Sequence, residues 1–516
     1  MTSANGIINE QDDKKPTENG ANYMARTSKR WVERGAKLSP KHSNNGDAVH
    51  EPVFDVEDFI SPGQLYSTES GSLFHAGRIL IALVGLPATS KTLLSVAITR
   101  YTRWLGVRTE SFHLSKYIKK NSNIPCFLSE EFSTAEGAEF KDEIIGQVTQ
   151  DIMSFFDNGK GQIAIYDALN IRKKERADIK NVFEKNDIKV LFVESIVTIP
   201  DLITKNIELA IESEDYKNWG KHEAIKDYTK RITKNESQYE RMSQIENVSY
   251  IKYLNFGERI IMNNTNYGYL VNKIVFFLMN LSNKQGCVYL SRCGRSNSDK
   301  YIDDELLNEE GIKFSKKLTK IVADRIKEKR LERKCNTFKF TENSKDSNSA
   351  LDELNCDNID NSQPLDVDSL AVWTAERKRT YDTAKFFKEE GFDVQKRSQL
   401  KQLHPGVVAD MSEEEIKKEY PKEFEEYQRD PYHYRFSRAE SYHDLAVRME
   451  PLLLELEHMH NDILIIAHES TLRVLYGYFM ACTSLEVPTL DFTRHQLVEI
   501  SFKPFNNIVT RIPIDI

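Results

Sequence analysis

Two successive α/β domains are what this chain of 516 residues predicts. Three observations carry that expectation. Short apolar runs at 79–84, 163–166 and 190–193 each stop at a glycine or a carboxylate. A second series of such runs begins near Val288-Tyr289-Leu290 and resumes at 371–374 and 463–467. Between the runs lie segments with helical spacing, and strands alternating with helices build a wound parallel sheet that binds its ligands at the carboxyl ends of the strands.

Taken in order, residues 1–75 are rich in Asn, Ser, Lys, Glu and Gly without a sustained apolar period, and are expected to form a disordered tail. Arg26, Lys29, Arg30, Arg34, Lys37 and Lys41 surround Ser28 and Ser39 there. That is a solvated charged segment or, alternatively, a phosphorylation switch in which a phosphate reverses the local charge. The texture changes at Arg78. Ile79-Leu80-Ile81-Ala82-Leu83-Val84 is nearly all apolar, as a strand buried on both faces should be, and it ends at Gly85. Helical spacing follows over 91–104. Ile163-Ala164-Ile165-Tyr166 ends at Asp167, and Val190-Leu191-Phe192-Val193 ends at Glu194. The second domain is expected over 286–516, with a disordered surface insertion from about 330 to 368 where apolar residues become scarce.

Composition excludes several classes. The net charge of −8 argues against a general nucleic-acid or anionic-membrane binder. No apolar run approaches the roughly 18 residues of a membrane span, and Met1 leads into polar residues rather than a signal segment. The six cysteines are scattered without CxxC pairing, which argues against a zinc site or a disulfide framework. The cytosol is the expected location.

Gly85-Leu86-Pro87-Ala88-Thr89-Ser90-Lys91-Thr92 follows a strand and opens a helix, the context that a GxxxxGK[ST] loop requires. In such a loop backbone N–H groups cradle the phosphates of ATP, Lys91 reaches the β- and γ-phosphates, and Thr92 holds Mg²⁺. Ser90 stands where that pattern has its second glycine. If the backbone there is left-handed, a non-glycine costs roughly 1–2 kcal/mol. The plain alternative is a strand–turn–helix that holds no nucleotide.

The stretch from Gly85 through Arg100-Tyr101-Thr102-Arg103-Trp104-Leu105-Gly106-Val107 resembles the kinase domain of the 6-phosphofructo-2-kinase/fructose-2,6-bisphosphatase family. So do Ile165-Tyr166-Asp167-Ala168-Leu169-Asn170, Phe192-Val193-Glu194-Ser195-Ile196 and Lys230-Arg231-Ile232, and the second half resembles the phosphatase domain in the same order. The resemblance implies a P-loop NTPase-like kinase domain over 76–285 followed by a phosphoglycerate-mutase-like histidine phosphatase domain. It implies a homodimer whose kinase uses Mg-ATP and fructose 6-phosphate to make fructose 2,6-bisphosphate, and whose phosphatase removes the 2-phosphate.

Residue by residue, the kinase half matches at Lys91, Thr92, Asp167 and Asn170, with Asp167 a Mg²⁺ ligand or acceptor of the sugar hydroxyl proton, and at Arg231 on the sugar phosphate. It departs elsewhere. Ile171 and Arg172 replace a threonine pair, Tyr117-Ile118-Lys119 replaces Tyr-Arg-Arg, Lys141 replaces an arginine, and Asn235 replaces a tyrosine. A Val-Lys pair upstream of Tyr216 is missing. Lysine keeps the charge of arginine but not its bidentate fork.

In the phosphatase half Arg292, Arg379 and His468 match the phosphate-binding positions, and Arg435 and Arg473 match positions around the sugar, where Arg438 replaces a lysine and Glu469 a glutamine. The nucleophilic histidine is Cys293, in Ser291-Arg292-Cys293-Gly294-Arg295-Ser296, and the general acid is Gln402. Gln402 has no transferable proton near neutral pH. Arg292 and Arg295 would activate a thiolate, but a cysteine is shorter than the imidazole it replaces. The expectation is a sensor-like pseudoenzyme that has lost the bisphosphatase and retains little or no kinase activity. The alternatives are a working kinase beside a silent phosphatase and, more distantly, a thiol phosphatase.

Overall fold

Strand β1, Ile79–Val84, has all six of its side chains buried, because helices cover both faces of the sheet it centres. The chain continues through α1 (Lys91–Trp104), β2 (Thr109–His113), α2 (Leu114–Asn121) and α3 (Ala135–Asp157). After β3 (Ile163–Asp167), α4 (Lys173–Glu184), β4 (Lys189–Ile196), α5 (Pro200–Ile211) and α6 (Lys221–Glu236), the first sheet closes with β5 (Ser249–Leu254) and β6 (Arg259–Asn263). Its order is β2-β3-β1-β4-β5-β6, parallel except for the antiparallel edge strand β6. β1 is flanked by β3 and β4, so their carboxyl ends bring the loop after Val84 close to Asp167. The computed structural model describes residues 77–121, 135–158, 161–211, 216, 219–265, 268–282, 284, 286–301, 303–342, 370–502 and 507–516; the tail expected at 1–75 lies outside them.

Helix α7 (Tyr269–Asn280) leads to a second sheet, formed by β7 (Val288–Arg292), β8 (Leu370–Thr374), β9 (Asp393–Lys396), β10 (Asp462–Ala467), β11 (Gln496–Phe502) and β12 (Asn507–Pro513). Its order is β12-β11-β7-β10-β8-β9, with β7, β10, β8 and β9 parallel and the β11–β12 hairpin antiparallel at one edge. Arg292, the last residue of β7, pairs with Ala467, the last residue of β10. The next residues, Cys293 and His468, are therefore neighbours at the carboxyl ends of the two central strands. Helices α8 (Glu309–Glu342), α9 (Lys378–Thr383), α10 (Lys385–Glu389), α11 (Glu413–Glu419), α12 (Pro421–Arg429), α13 (Tyr442–His458) and α14 (Glu469–Phe479) complete this half.

Of the insertion expected from about 330 to 368, the first part lies in a helix. The backbone of α8 stays helical to Glu342, and only 343–369 lie outside the described residues. Scarcity of apolar side chains was a poor guide there, since Lys327-Glu328-Lys329-Arg330-Leu331-Glu332-Arg333 consists of good helix formers.

The two halves share one apolar cluster, in which Ala97, Tyr101 and Trp104 of α1 pack with residues of α7, α13 and α14. Within it lies an ionic knot. Arg100 donates to Glu457 at 2.6 Å, Tyr478 donates to the same carboxylate oxygen at 2.8 Å, and Lys284 lies 3.5 Å from the other oxygen. Arg100 and Glu457 are 7% and 1% exposed. Burial alone would raise the Glu457 carboxyl, but Lys284, Arg100 and Tyr478 outweigh it and bring it down to about 2. Above this knot Trp104 meets the Tyr478 ring edge-on at 5.5 Å, and Glu450 accepts from Tyr101 at 3.0 Å and from Lys273 at 2.8 Å.

Removing one member of a buried ion pair leaves the other uncompensated, so Glu457→Ala and Arg100→Ala should each destabilise the protein by about 3–5 kcal/mol. In urea melts the double variant should lose clearly less than their sum. Because the Glu457 carboxyl titrates lower in the folded chain than unfolded, its contribution is complete above the ordinary carboxyl range and is lost as pH falls toward about 2. Glu457→Gln should remove that part of the acid sensitivity; an unchanged acid limb, or additive single losses, contradicts the role given to the knot.

Candidate functional site

At the end of β1 the chain winds into a tight loop. Gly85 has φ 144°, and a Cβ there would lie 2.6 Å from the Ser195 carbonyl oxygen, so only glycine fits. Ala88 and Ser90 are both left-handed, with φ 63° and 61°. The strain foreseen at Ser90 is therefore present, and side chains around the loop hold it in place. Asn206 donates to the Ala88 carbonyl at 2.7 Å, Ser195 to that of Thr89 at 2.6 Å, and Thr89 to that of Leu86 at 2.8 Å. The Tyr228 hydroxyl accepts from the Ala88 N–H at 3.3 Å.

Lys91 and Thr92 begin α1 directly behind this loop. The Lys91 ammonium donates to the Leu86 carbonyl at 2.5 Å. Burial lowers its pKa to about 8, with the Asp167 charge pulling up and Arg231 pushing further down. Thr92 donates to Asp167 Oδ2 at 2.8 Å, and His113 Nδ1 lies 2.9 Å from the same oxygen. Asp167 is buried, which opposes ionisation, yet His113, Lys91 and Thr92 together hold its carboxyl below the ordinary range. Lys91, Thr92, Asp167 and Arg231 thus lie together at the ends of β1 and β3. Asn170 has a structural task, since its amide donates to the Leu83 carbonyl at 2.7 Å and ties the end of β1 to the turn after β3.

His113 escaped the sequence reading. It ends β2 and pairs in register with Asp167, a placement that a polar residue closing a strand hints at. The substituted positions make contacts within the domain. Ile171 is buried, Arg172 bonds Gln238, Lys141 donates to Glu175 at 3.2 Å, and Asn235 donates to the Arg231 carbonyl at 2.8 Å.

The second site lies where β7 and β10 end. His468 caps the N-terminus of α14 and its Nε2 accepts from Arg379 Nε at 3.1 Å, which places the proton of the neutral ring on Nδ1. Burial, followed by the charges of Arg379, Arg377, Arg292 and Arg494, holds His468 well below its ordinary pKa. Arg379 also donates to Asp299 at 2.9 Å and to the Gln402 side-chain oxygen at 3.4 Å. Arg494 reaches the other oxygen of Asp299. Arg292 donates to the Phe492 carbonyl at 2.8 Å and lies 3.1 Å from Glu469, which also accepts from Arg473 at 2.6 Å. Arg473 in turn donates to the Tyr442 hydroxyl at 2.9 Å.

Cys293 is 3% exposed and packs in the apolar cluster that contains Tyr289, Phe314 and Leu497. The two arginines expected to activate it pair with carboxylates: Arg292 with Glu469, and Arg295 with Glu310 at 3.3 Å. Arg292, Arg379, His468, Gln402 and Arg473 therefore form one cradle with Cys293 at its base. Arg435 and Arg438 do not join it: Arg435 pairs with Asp444 at 3.6 Å on the surface, and Arg438 is exposed with φ 59°. Among the described residues neither shares a hydrogen bond with the cradle arginines. Sequence reasoning missed Asp299, six residues after Cys293, Arg377, two residues before Arg379, and Arg494, which reaches Asp299 from a loop 195 residues away.

Comparison with known proteins agrees with this geometry. A model of the 6-phosphofructo-2-kinase domain matches residues 66–285, and one of the histidine phosphatase superfamily (branch 1) matches 361–514. The chain is 55% identical over 506 residues, 97% of its own length and 95% of the relative's, to a Saccharomyces cerevisiae protein named "Putative 6-phosphofructo-2-kinase/fructose-2,6-bisphosphatase". It is 32% identical to the "Fructose-2,6-bisphosphatase" of the same yeast, covering 85% of this chain and 89% of that one. To "6-phosphofructo-2-kinase/fructose-2,6-bisphosphatase 4" of Rattus norvegicus it is 30% identical, with 85% of each chain covered. With a kinase-type phosphate loop in the first sheet and an arginine–histidine cradle in the second, the chain belongs to the 6-phosphofructo-2-kinase/fructose-2,6-bisphosphatase family of fructose 2,6-bisphosphate metabolism.

Proposed function

We propose that the second domain binds phosphorylated sugars without hydrolysing them, and that the protein acts as a sensor in fructose 2,6-bisphosphate metabolism. The observation that carries this reading is the composition of the cradle: its arginines and His468 converge, but the positions for attack and protonation hold Cys293 and Gln402. Hydrolysis needs a nucleophile at the phosphorus and a proton for the leaving oxygen. Gln402 supplies no proton. His468 is held neutral with its Nε2 lone pair committed to Arg379. The Cys293 thiol sits among apolar side chains. What survives is recognition: guanidinium forks suited to phosphate oxygens.

A second reading, an active kinase beside a silent phosphatase, is favoured by the first site. The loop is fully wound despite Ser90, and Thr92 and Asp167 stand 2.8 Å apart at the helix N-terminus. These residues fit Mg-ATP, with Lys91 on the phosphates and Thr92 and Asp167 toward the metal, which would neutralise charge between the β- and γ-phosphates. Against efficient turnover stand Ile171, Arg172, Lys141 and Asn235, whose contacts are structural. The family resemblance also supports a homodimer. The edge strand β6 and helix α7 expose Met262, Phe276 and Met279, an apolar surface suited to a second copy.

Two assays test these readings. With fructose 2,6-bisphosphate, phosphate release by the full chain should not exceed that of Arg379→Ala; clear excess would falsify the non-hydrolysing cradle. With Mg-ATP and fructose 6-phosphate, any product must depend on Lys91, and Lys91→Met should abolish it. Lys91 needs its proton to hold phosphate, so Mg-ATP affinity should weaken as pH is raised from about 7 to about 9. Affinity that is constant or rises over that range contradicts the assigned role.

A further inference from the structure

Asp167 is gripped from two sides in the first sheet, and both grips fall on one oxygen. It ends β3, which lies between β2 and β1. Thr92, at the start of the helix after β1, donates to Oδ2 at 2.8 Å. His113, the last residue of β2, stands in register with Asp167 and brings Nδ1 within 2.9 Å of the same oxygen. A carboxylate only accepts, so the hydrogen of that bond sits on Nδ1. Each carboxylate oxygen offers about two lone-pair sites. The two donors therefore fill Oδ2, and among the described residues no hydrogen bond reaches Oδ1. A rotation that exchanged the two oxygens would break both bonds.

Stability does not account for this imidazole. His113 is 5% exposed, and its Nε2 has no hydrogen-bond partner among the described residues. Burying an unpaired polar nitrogen is unfavourable, and an apolar side chain closing the strand would avoid it. What the imidazole contributes in return is its bond to Asp167. Lys91 acts on Asp167 through its charge, while its ammonium donates to the Leu86 carbonyl at 2.5 Å. The direction of the carboxylate is thus set by Thr92 and His113. Thr92 spends its hydrogen on Oδ2 and keeps its oxygen lone pairs. Those lone pairs and Oδ1 of Asp167 remain for a hard cation, which takes oxygen ligands.

Resting on the reading of this first site as one for Mg-ATP, we propose that His113 is a positioning residue that holds Asp167 by Oδ2 and so presents Oδ1 to the Mg²⁺ accompanying ATP. Without His113, Thr92 is the one hydrogen-bond donor left on the carboxylate among the described residues. The carboxylate can then turn about its Cβ–Cγ bond, and Thr92 can bond either oxygen. Losing a partner that orients a metal ligand typically costs roughly 10- to 100-fold in metal affinity. Among the described residues the His113 side chain bonds Asp167 and no part of the loop from Gly85 to Ser90. Its loss should therefore weaken what the metal adds and leave metal-free nucleotide binding in place.

The test is calorimetric titration of the full chain with ATP, once in Mg²⁺ and once in EDTA. In the native protein Mg²⁺ should tighten ATP binding by about tenfold or more. His113→Leu should remove most of that gain while changing ATP affinity in EDTA by less than about threefold. His113→Asn, whose amide can donate from near the place of Nδ1, should keep the gain to within about threefold. A full Mg²⁺ gain in folded His113→Leu overturns the proposal, as does an equal loss in both conditions or a loss that His113→Asn does not restore. A native protein that binds ATP equally with and without Mg²⁺ overturns it too, and this arm needs no variant. Absence of ATP binding in both conditions overturns the Mg-ATP reading beneath the proposal as well, whereas an Mg²⁺ gain indifferent to His113 overturns the proposal alone.

Discussion

Arg100 and Glu457, buried against each other across the boundary between the two sheets, fix the geometry on which both sites depend. Arg100 lies on the helix that starts at Lys91 behind the phosphate loop. Tyr478, which shares the same Glu457 oxygen, lies on the helix that starts at Glu469 beside His468. The two helices whose N-termini face the two candidate phosphate sites therefore meet through their far ends. An uncompensated ion at that depth costs several kcal/mol, so the pair excludes arrangements that separate it. Aromatic packing of Trp104 on Tyr478 fills the rest of the contact.

On this common frame the two sites have diverged in opposite ways. The first has a fully wound loop with a left-handed serine, and Lys141 and Asn235 bond within the domain. The second brings guanidinium groups together with carboxylates among them, and holds Cys293 and Gln402 where the proposed reading places attack and protonation. In both, the strand ends bring together backbone and charge of the kind that recognises phosphate. Recognition needs only convergent donors, which the strand ends supply, whereas catalysis needs a nucleophile and an acid placed to within a fraction of an ångström.

The features legible in the sequence are those set by neighbours in the chain. The strand runs ending at Gly85, Asp167 and Glu194 and the loop from Gly85 to Thr92 were readable because burial on both faces and helix initiation leave local patterns. The substitutions expected at Cys293 and Gln402 rest on the family resemblance, which located those positions. The pairing of Arg100 with Glu457 was not, since the partners stand 357 residues apart and nothing local marks either. Asp299 and Arg494 reach the cradle from loops whose course is decided by packing, and Arg435 and Arg438 leave it for the same reason. The helix that runs on to Glu342 was hidden because charged helix formers look like an unstructured segment when apolar content alone is weighed.

Native mass spectrometry of the full chain incubated with fructose 2,6-bisphosphate tests the central claim most directly, because one spectrum reports both binding and chemistry. The account predicts a chain carrying the intact ligand mass, with no adduct of a lone phosphoryl group after denaturation, and loss of the bound mass in Arg379→Ala. A phosphorylated chain after denaturation, or conversion of the ligand to the monophosphate, would contradict it.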